Sequence, residues 1–237
     1  MTGRPVDEPR TRLPGTGVFD LGMTLPSVVS ISETVPCTCV SKFETDWKNV
    51  NELPRIQPLN PPYERDVATR LEAMMPPGVP PILLFRTFAK NPSMARAMGS
   101  WGRYELSKEL SLSLRDREIV IDRTCARCDC EYEWGVHIAF FADRAGLSRE
   151  QVSSIASGLA SDACWTEESD RLLIDAVDAM HDTGTISADL YAKLATIFNE
   201  AQILDLTMLC GWYHAISFSA NVAGVQRAHE APRFSDY

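Results

Sequence analysis

The chain lacks the features that mark membrane, secreted and nucleic-acid-binding proteins. It has no apolar run near the ~20 residues that a membrane-spanning helix needs, and its first residues lack the apolar core of a secretory signal. Basic residues are scarce, because 23 Lys and Arg stand against 32 Asp and Glu, and they form no cluster. The net charge of −9 therefore disfavours nucleic acid as a partner, and the lack of a signal and of a spanning run predicts a cytoplasmic protein that does not bind membrane.

The cysteines show no disulfide-framework pattern. There are seven of them, an odd number, and a chain of 237 residues can bury a core without such bridges. We therefore expect free or catalytic thiols in a reducing compartment. Three of the seven, Cys125, Cys128 and Cys130, fall within six residues of one another.

Proline divides the chain into two parts. Residues 1–62 hold nine of the 15 prolines and show no sustained helical period. We interpret this part as an extended N-terminal arm whose scattered apolar side chains cover the body of the protein or a neighbouring subunit. A disordered tail is the alternative that composition alone leaves open.

Residues 63–237 show a helical pattern with recurring caps and almost no strand alternation, which predicts an all-α domain. Ser113 and Ser148 are predicted N-caps, each followed three residues later by an acid or an amide, and Gly146 is a predicted C-terminal glycine. The predicted helices cover residues 65–75, 81–88, 92–110, 114–127, 130–144, 148–158, 166–181, 187–198 and 201–229.

The most informative segment of the helical domain begins at Cys130. If it is helical, Cys130, Glu133 and His137 lie at i, i+3 and i+7 on one stripe, with Glu118 on the preceding helix. An apolar run follows His137, so the stripe is expected to face the interior, where pKa values shift most. A thiol, a carboxyl and an imidazole together can move protons or position a substrate.

Several segments together resemble the carboxymuconolactone decarboxylase-like family, whose superfamily also contains alkyl hydroperoxidase D. They are residues 115–121, 130–137 and 145–148, with supporting matches at 55–59, 85–92 and 212–214. The resemblance extends over roughly residues 55 to 230. It implies an all-helical fold, a small-molecule substrate and a homo-oligomer (dimer, trimer or hexamer) with its site near a subunit interface.

In the hydroperoxidase branch of this superfamily, a glutamate and a Cys-x-x-Cys…His unit form a proton relay to redox thiols. Carried over to this chain, Glu118 matches the glutamate, Cys130 the first thiol and His137 the histidine. Glu133 stands where the second thiol should be, and a carboxylate cannot form the resolving disulfide. Pairs formed by Cys128 with Cys125 or with Cys130 keep a redox role open.

The lactone decarboxylase branch needs no thiol pair. Glu133 and His137, at i and i+4, can supply a general acid and a general base. Arg123 could hold a substrate carboxylate. Tyr132 and Trp134 complete the predicted substrate contacts, although each could equally pack in the core or at an interface.

Three functional hypotheses follow from these residues. The leading one is cofactor-free acid/base chemistry on a small carbonyl or lactone compound, such as a decarboxylation or a related lyase, isomerase or hydrolytic step. The alternatives are a thiol-dependent alkyl hydroperoxide reductase and a non-catalytic family member.

No metal is expected, because three cysteines and His137 match no common zinc spacing. Two other histidines receive ordinary structural interpretations. His181 is interpreted as a cation near a helix C-terminus, and His214 as a satisfied core histidine.

Overall fold

The computed structural model describes residues 53–75 and 78–237, so the predictions for residues 1–52 of the arm lie outside it. Within the described residues the chain forms α-helices and one 3-10 turn and no strand, which confirms the all-α class. No helix in this part of the chain is long and apolar enough to cross a membrane. The helices are α1 (Arg65–Ala73), α2 (Leu83–Phe88), α3 (Pro92–Glu105), α4 (Leu114–Arg127), α5 (Glu131–Phe141), α6 (Arg149–Ser157), α7 (Glu168–Thr183), α8 (Ala188–Leu194) and α9 (Glu200–Ala223).

The helix α4 lies at the centre of the fold. It contacts α5, α6, α7 and α9, and Ile119, Val120 and Ile121 are all fully buried. A helix that is buried on every side sits in a core rather than on a surface. As predicted, it begins after a capping box, in which Ser113 and Asp116 satisfy each other's backbone N–H groups.

A ladder of ion pairs joins α4 to α7. It has three arginine–aspartate pairs, and in each pair the two residues are 55 positions apart in the sequence. Because the pairs follow in the same order along both helices, the two helices run in the same direction. The ladder consists of Arg115 with Asp170, Arg123 with Asp178 and Arg127 with Asp182.

A tight turn between α4 and α5 positions the cysteine-rich segment. Asp129 adopts the left-handed conformation, with φ of 51°, which Asp tolerates better than most residues. The N–H of Cys130 then donates to the carbonyl of Cys125 at 2.9 Å, the pattern of a Schellman-type helix end. Cys130 is therefore the N-cap of α5 and not its first helical residue, and its carbonyl accepts the first helical bond, from Trp134.

Several predicted helix ends were too long. The third helix stops at Glu105 instead of 110, because Glu105 is buried and the following loop turns to bring Ser111 onto Asp205. The last helix stops at Ala223 instead of 229, because Gly224 takes a left-handed conformation, with φ of 63°. The fifth and eighth helices end three and four residues early, at Phe141 and Leu194.

Two extended segments lie against this helical body. In the described end of the predicted arm, Arg55 donates to carbonyls at the end of α9, and the Leu59 carbonyl accepts from Arg86 on α2. The C-terminal segment crosses α5 at Gly135, where a Cβ would lie 2.6 Å from the carbonyl oxygen of Pro232. Only glycine allows this close approach.

Candidate functional site

A chain of hydrogen bonds runs through the interior between α4, α5 and α9. The Nδ1–H of His137 donates to Glu118 Oε2 at 2.8 Å, and the Nε2 of the same ring lies 3.0 Å from the Tyr213 hydroxyl. All three residues are almost completely buried. The bond to Glu118 therefore fixes the orientation of the ring and aims Nε2 at α9.

Glu133 also lies close to the Nε2 of His137. Its Oε1 lies 3.7 Å from His137 Nε2, one helical turn away on α5. Its Oε2 is buried and has no hydrogen-bond partner in residues 53–75 and 78–237. The predicted stripe thus brings a partly unsatisfied carboxyl and an imidazole nitrogen together, as the i, i+4 spacing indicated.

Two carboxylates determine the charge of His137. Burial by itself lowers the pKa of the imidazole, but Glu118 and Glu133 outweigh it and raise this pKa to about 10. The ring is consequently an imidazolium at neutral pH. With both nitrogens protonated, Nε2–H donates to the Tyr213 oxygen, and the ring can act as an acid.

Arg117 and Asp122 complete the cluster from α4. Arg117 donates through Nε to Glu118 Oε1 at 2.7 Å and lies over the ring of Phe141. Asp122 is fully buried, and neither carboxyl oxygen has a hydrogen-bond partner in the described part of the chain. Burial and, next, the charge of Glu118 raise the pKa of Asp122 well above its ordinary value, which favours the uncharged form of this carboxyl.

The three clustered cysteines are free and largely buried thiols. Burial raises the pKa of Cys130 to about 12, against the opposing effect of the Glu133 backbone N–H, and raises that of Cys128 to about 11. Complete burial also raises the pKa of Cys125 well above its ordinary value. Thiolates are therefore strongly disfavoured at neutral pH, which weakens nucleophilic chemistry at these sulfurs.

The three predicted substrate-binding residues do not join this cluster. Arg123 faces α7, where it pairs with Asp178 at 2.7 Å and donates to the carbonyl of Ile155, so its donors are already used. The Tyr132 hydroxyl accepts from the backbone N–H of Leu84. Trp134 is fully buried and packs against the rings of Phe234 and Tyr237 in the C-terminal segment. These contacts are structural, so the proposed site does not include the three residues.

Three members of the cluster were not among the predicted site residues. Tyr213 occurs in a segment that carries the family resemblance, but it lies 76 residues from His137 in sequence. Asp122 follows Glu118 by four residues and so shares its helix face, a signal that the sequence offered. Arg117 is the arginine that contacts Glu118. The sequence pattern could not show whether Arg115 or Arg117 would make this contact.

A metal ion fits this cluster poorly. One oxygen each of Glu118 and Asp122 and a ring nitrogen of His137 lie within 4.8 Å of one another. The hydrogen bonds of Arg117 and His137 to Glu118, however, already supply the positive charge that a cation would bring. The arrangement is instead suited to proton transfer, with an imidazolium held between two carboxylates.

Comparisons with known proteins agree with this architecture. No curated protein matches the chain. An uncharacterised peroxidase-related protein from Silicibacter sp. TM1040 superimposes with a TM-score of 0.66 at 16% identity, covering 80% of this chain and 100% of its own. The debrominase Bmp8 superimposes with a TM-score of 0.59 at 16% identity, covering 73% of this chain and 92% of its own.

A variant of the same debrominase in complex with 2,3,4-tribromopyrrole gives a TM-score of 0.56 at 16% identity, covering 79% of this chain and 97% of its own. At these identities the likeness is one of fold. Residues 92–175, which include Glu118, Glu133 and His137, match the model of the Carboxymuconolactone decarboxylase family. The family resemblance predicted from the sequence is therefore confirmed over residues 92–175.

Proposed function

We propose that the chain catalyses cofactor-free acid/base chemistry on a small carbonyl or lactone compound. The observation that carries the proposal is the position of His137 Nε2. It lies 3.0 Å from the Tyr213 hydroxyl and 3.7 Å from a Glu133 oxygen, while Nδ1 is fixed by Glu118. A proton donor and a proton acceptor thus stand side by side, as removal of a proton next to a carbonyl requires.

The groups divide into two kinds of role. Glu133 acts as the base, because one of its oxygens has no hydrogen-bond partner among the described residues and is available to a substrate C–H or water. His137 acts as the acid and stabilises negative charge that develops on the substrate oxygen, with Tyr213 as a second donor. Glu118 and Arg117 act through His137 as positioning residues, since they orient the ring.

The charges of the cluster support this division. The cations of Arg117 and His137 balance the anions of Glu118 and Glu133, and the raised pKa of Asp122 favours its uncharged form. A buried cluster that is neutral in sum avoids a large desolvation penalty. It can therefore keep an imidazolium in an apolar interior, where its field on a developing oxyanion is screened less than in water.

The substrate must be small. Only 6% of Glu133 and 3% of His137 is exposed, so little of the reacting groups is accessible from solvent in the single chain. We propose in addition that the protein is a homo-oligomer. Support comes from exposed apolar side chains that follow one side of α9, namely Leu204, Met208, Phe218 and Val222. Sedimentation as a monomer at micromolar concentration would contradict this part of the proposal.

Solvent deuterium exchange tests the acid/base function without knowledge of the overall reaction. The full chain is incubated in heavy water with a panel of small lactones and oxo acids, and exchange at the carbon next to the carbonyl is followed by NMR. Glu133→Gln and His137→Gln should each slow exchange by ~10²–10⁴-fold, the usual contribution of one acid or base. Cys130→Ser and the surface control Glu150→Gln should retain most of the rate.

A thiol-dependent hydroperoxide reductase is the second candidate. The observation in its favour is that the backbone N–H of Glu133 donates to the Cys130 sulfur at the start of α5, an arrangement that stabilises a thiolate. One structural neighbour is also described as peroxidase-related. The candidate predicts peroxide turnover with a dithiol reductant that Cys130→Ser abolishes and Glu133→Gln leaves intact, the reverse of the order expected for acid/base chemistry.

A further inference from the structure

A second group of potential ligands lies apart from the buried cluster. The sulfur of Cys128 and one ring nitrogen each of His181 and His214 all lie within 4.8 Å of one another. Cys128 ends α4, while the two histidines come from α7 and α9, so the fold collects them from distant parts of the sequence. All three residues are half-buried and reach solvent.

The histidine rings of this group are oriented as metal ligands usually are. The Nδ1–H of His214 donates to the Cys210 carbonyl at 2.8 Å, which leaves Nε2 with its lone pair directed away from α9. That Nε2 lies 2.9 Å from His181 Nδ1. In metal sites a backbone carbonyl commonly accepts from the ring nitrogen that does not bind the metal and so fixes the orientation of the histidine.

We propose that Cys128, His181 and His214 form a binding site for a zinc-like divalent transition metal. One thiolate and two imidazoles are ligands that suit such ions, and three protein ligands leave a fourth tetrahedral position for water or a small ligand. Tetrahedral zinc would place the two nitrogens about 3.3 Å apart and each about 3.6 Å from the sulfur. The two rings need to separate by only a few tenths of an ångström from their present 2.9 Å.

The protons balance in a simple way. Metal binding displaces the thiol proton of Cys128 to solvent, and the proton on His181 Nδ1 moves to its Nε2. One proton is therefore released for each metal bound, which is a measurable consequence of coordination by a thiolate.

The site is independent of the proposed acid/base chemistry. Tyr213 and His214 are neighbours on α9, but Tyr213 contacts His137 in the interior, whereas His214 faces the half-exposed group with His181. The sequence interpretations of His181 as an isolated cation and of His214 as a core histidine did not anticipate that the two rings meet. A histidine pair that binds no metal is the competing explanation.

Cobalt titration separates the two explanations. The full chain is freed of metal with a chelator and titrated with Co²⁺, whose thiolate charge-transfer and tetrahedral ligand-field absorption report the donor set. The wild type should bind one equivalent with both absorptions, and Zn²⁺ should displace the cobalt. Cys128→Ser should remove the charge-transfer band, while His181→Gln and His214→Gln should each weaken binding by more than about a hundredfold, beyond the ~10–100-fold loss typical when only a hydrogen-bond partner of a ligand is removed.

Matched controls use residues outside the group. Cys164→Ser, His229→Gln and the double variant Cys37→Ser/Cys39→Ser should leave the spectrum and the stoichiometry unchanged. Circular dichroism checks that each variant is folded, and the half-exposed His181→Gln serves if Cys128→Ser does not fold. The absence of stoichiometric binding, a band that survives Cys128→Ser, or a band lost in the Cys37/Cys39 variant would overturn the proposal.

Discussion

The two charged faces of α4 differ in how their charges are compensated. Towards α7, three arginines meet three aspartates at a constant offset, so that every charge on this face has an oppositely charged partner. Towards α5 and α9, two carboxyls, Glu118 and Asp122, share the interior with His137, and Asp122 has no hydrogen-bond partner among the described residues. Both faces are polar, yet of these groups only Asp122 and His137, on the second face, have pKa values raised well above their ordinary range.

The difference separates a structural use of charge from a chemical one. In the ladder each charged group has an oppositely charged partner and needs no change of protonation. The ion pairs hold α4 and α7 in register. In the cluster the three carboxyls of Glu118, Asp122 and Glu133 exceed the two cations of Arg117 and His137, and the pKa of Asp122 is raised accordingly. Perturbed protonation of this kind is typical of functional sites. Substitutions in the ladder should therefore lower stability, whereas substitutions in the cluster should change how stability depends on pH.

The largest loss of stability should come from the middle of the ladder. Asp178→Ala leaves Arg123, whose side chain is 4% exposed, without its carboxylate partner. Removing one member of a buried pair costs about 3–5 kcal/mol, because an uncompensated charge stays buried. Urea unfolding measures the loss. Arg123→Met should cost less, because Asp178 is 24% exposed and can be solvated, and equal losses for the two variants would contradict this asymmetry.

The cluster should instead control how stability depends on pH. The folded-state pKa of His137 is raised to about 10, above the ~6.5 of an unfolded chain. The stability it contributes is fully present below about pH 6.5 and is lost as pH rises towards 10, by at most ~1.4 kcal/mol per pH unit. His137→Gln should flatten this part of the curve in unfolding experiments between these values. The ladder variant Asp178→Ala should keep the wild-type slope.

Asp122 should show the opposite behaviour to an ordinary ion-paired carboxylate. Its pKa is raised, so the folded chain holds a proton that the unfolded chain releases above about pH 4. The contribution of Asp122 to stability therefore falls as pH rises from that value towards the folded-state pKa. Asp122→Asn, which mimics the neutral acid, should be close to wild type near pH 4 and gain about 1 kcal/mol by neutral pH if its amide finds an acceptor. A loss that grows with pH would show that the carboxylate form is needed.

The contrast between the faces also explains what the sequence could predict. Helix starts at Ser113 and Ser148 were predicted because a capping box is a local signal, and both caps are present. The pair of Glu133 and His137 was predicted because i, i+4 spacing on a helix is local as well. The pairing of Glu118 with His137 rested on the family resemblance, and the structure gives 2.8 Å between them.

What the sequence could not predict depends on how the helices rotate against each other. Arg123 was assigned to the substrate and Arg117 was not, yet α4 turns Arg123 towards α7 and Arg117 onto Glu118. Tyr213 reaches His137 only because α9 packs beside α5. Propensity and spacing place residues on a face of their own helix, but tertiary packing decides which helix that face meets.

The smallest effect should come from the outer end of the ladder. Asp182→Ala removes the partner of Arg127 in a pair whose side chains are 56% and 32% exposed, where water can replace either ion. Exposed pairs contribute about 0–1 kcal/mol, and Arg127 keeps a second carboxylate, that of Asp178, at 3.6 Å. Urea unfolding should therefore show a change of at most ~1 kcal/mol that shrinks further in high salt, because exposed pairs are screened. A loss as large as that of Asp178→Ala would mean that the ladder acts as one cooperative unit rather than as three separate pairs.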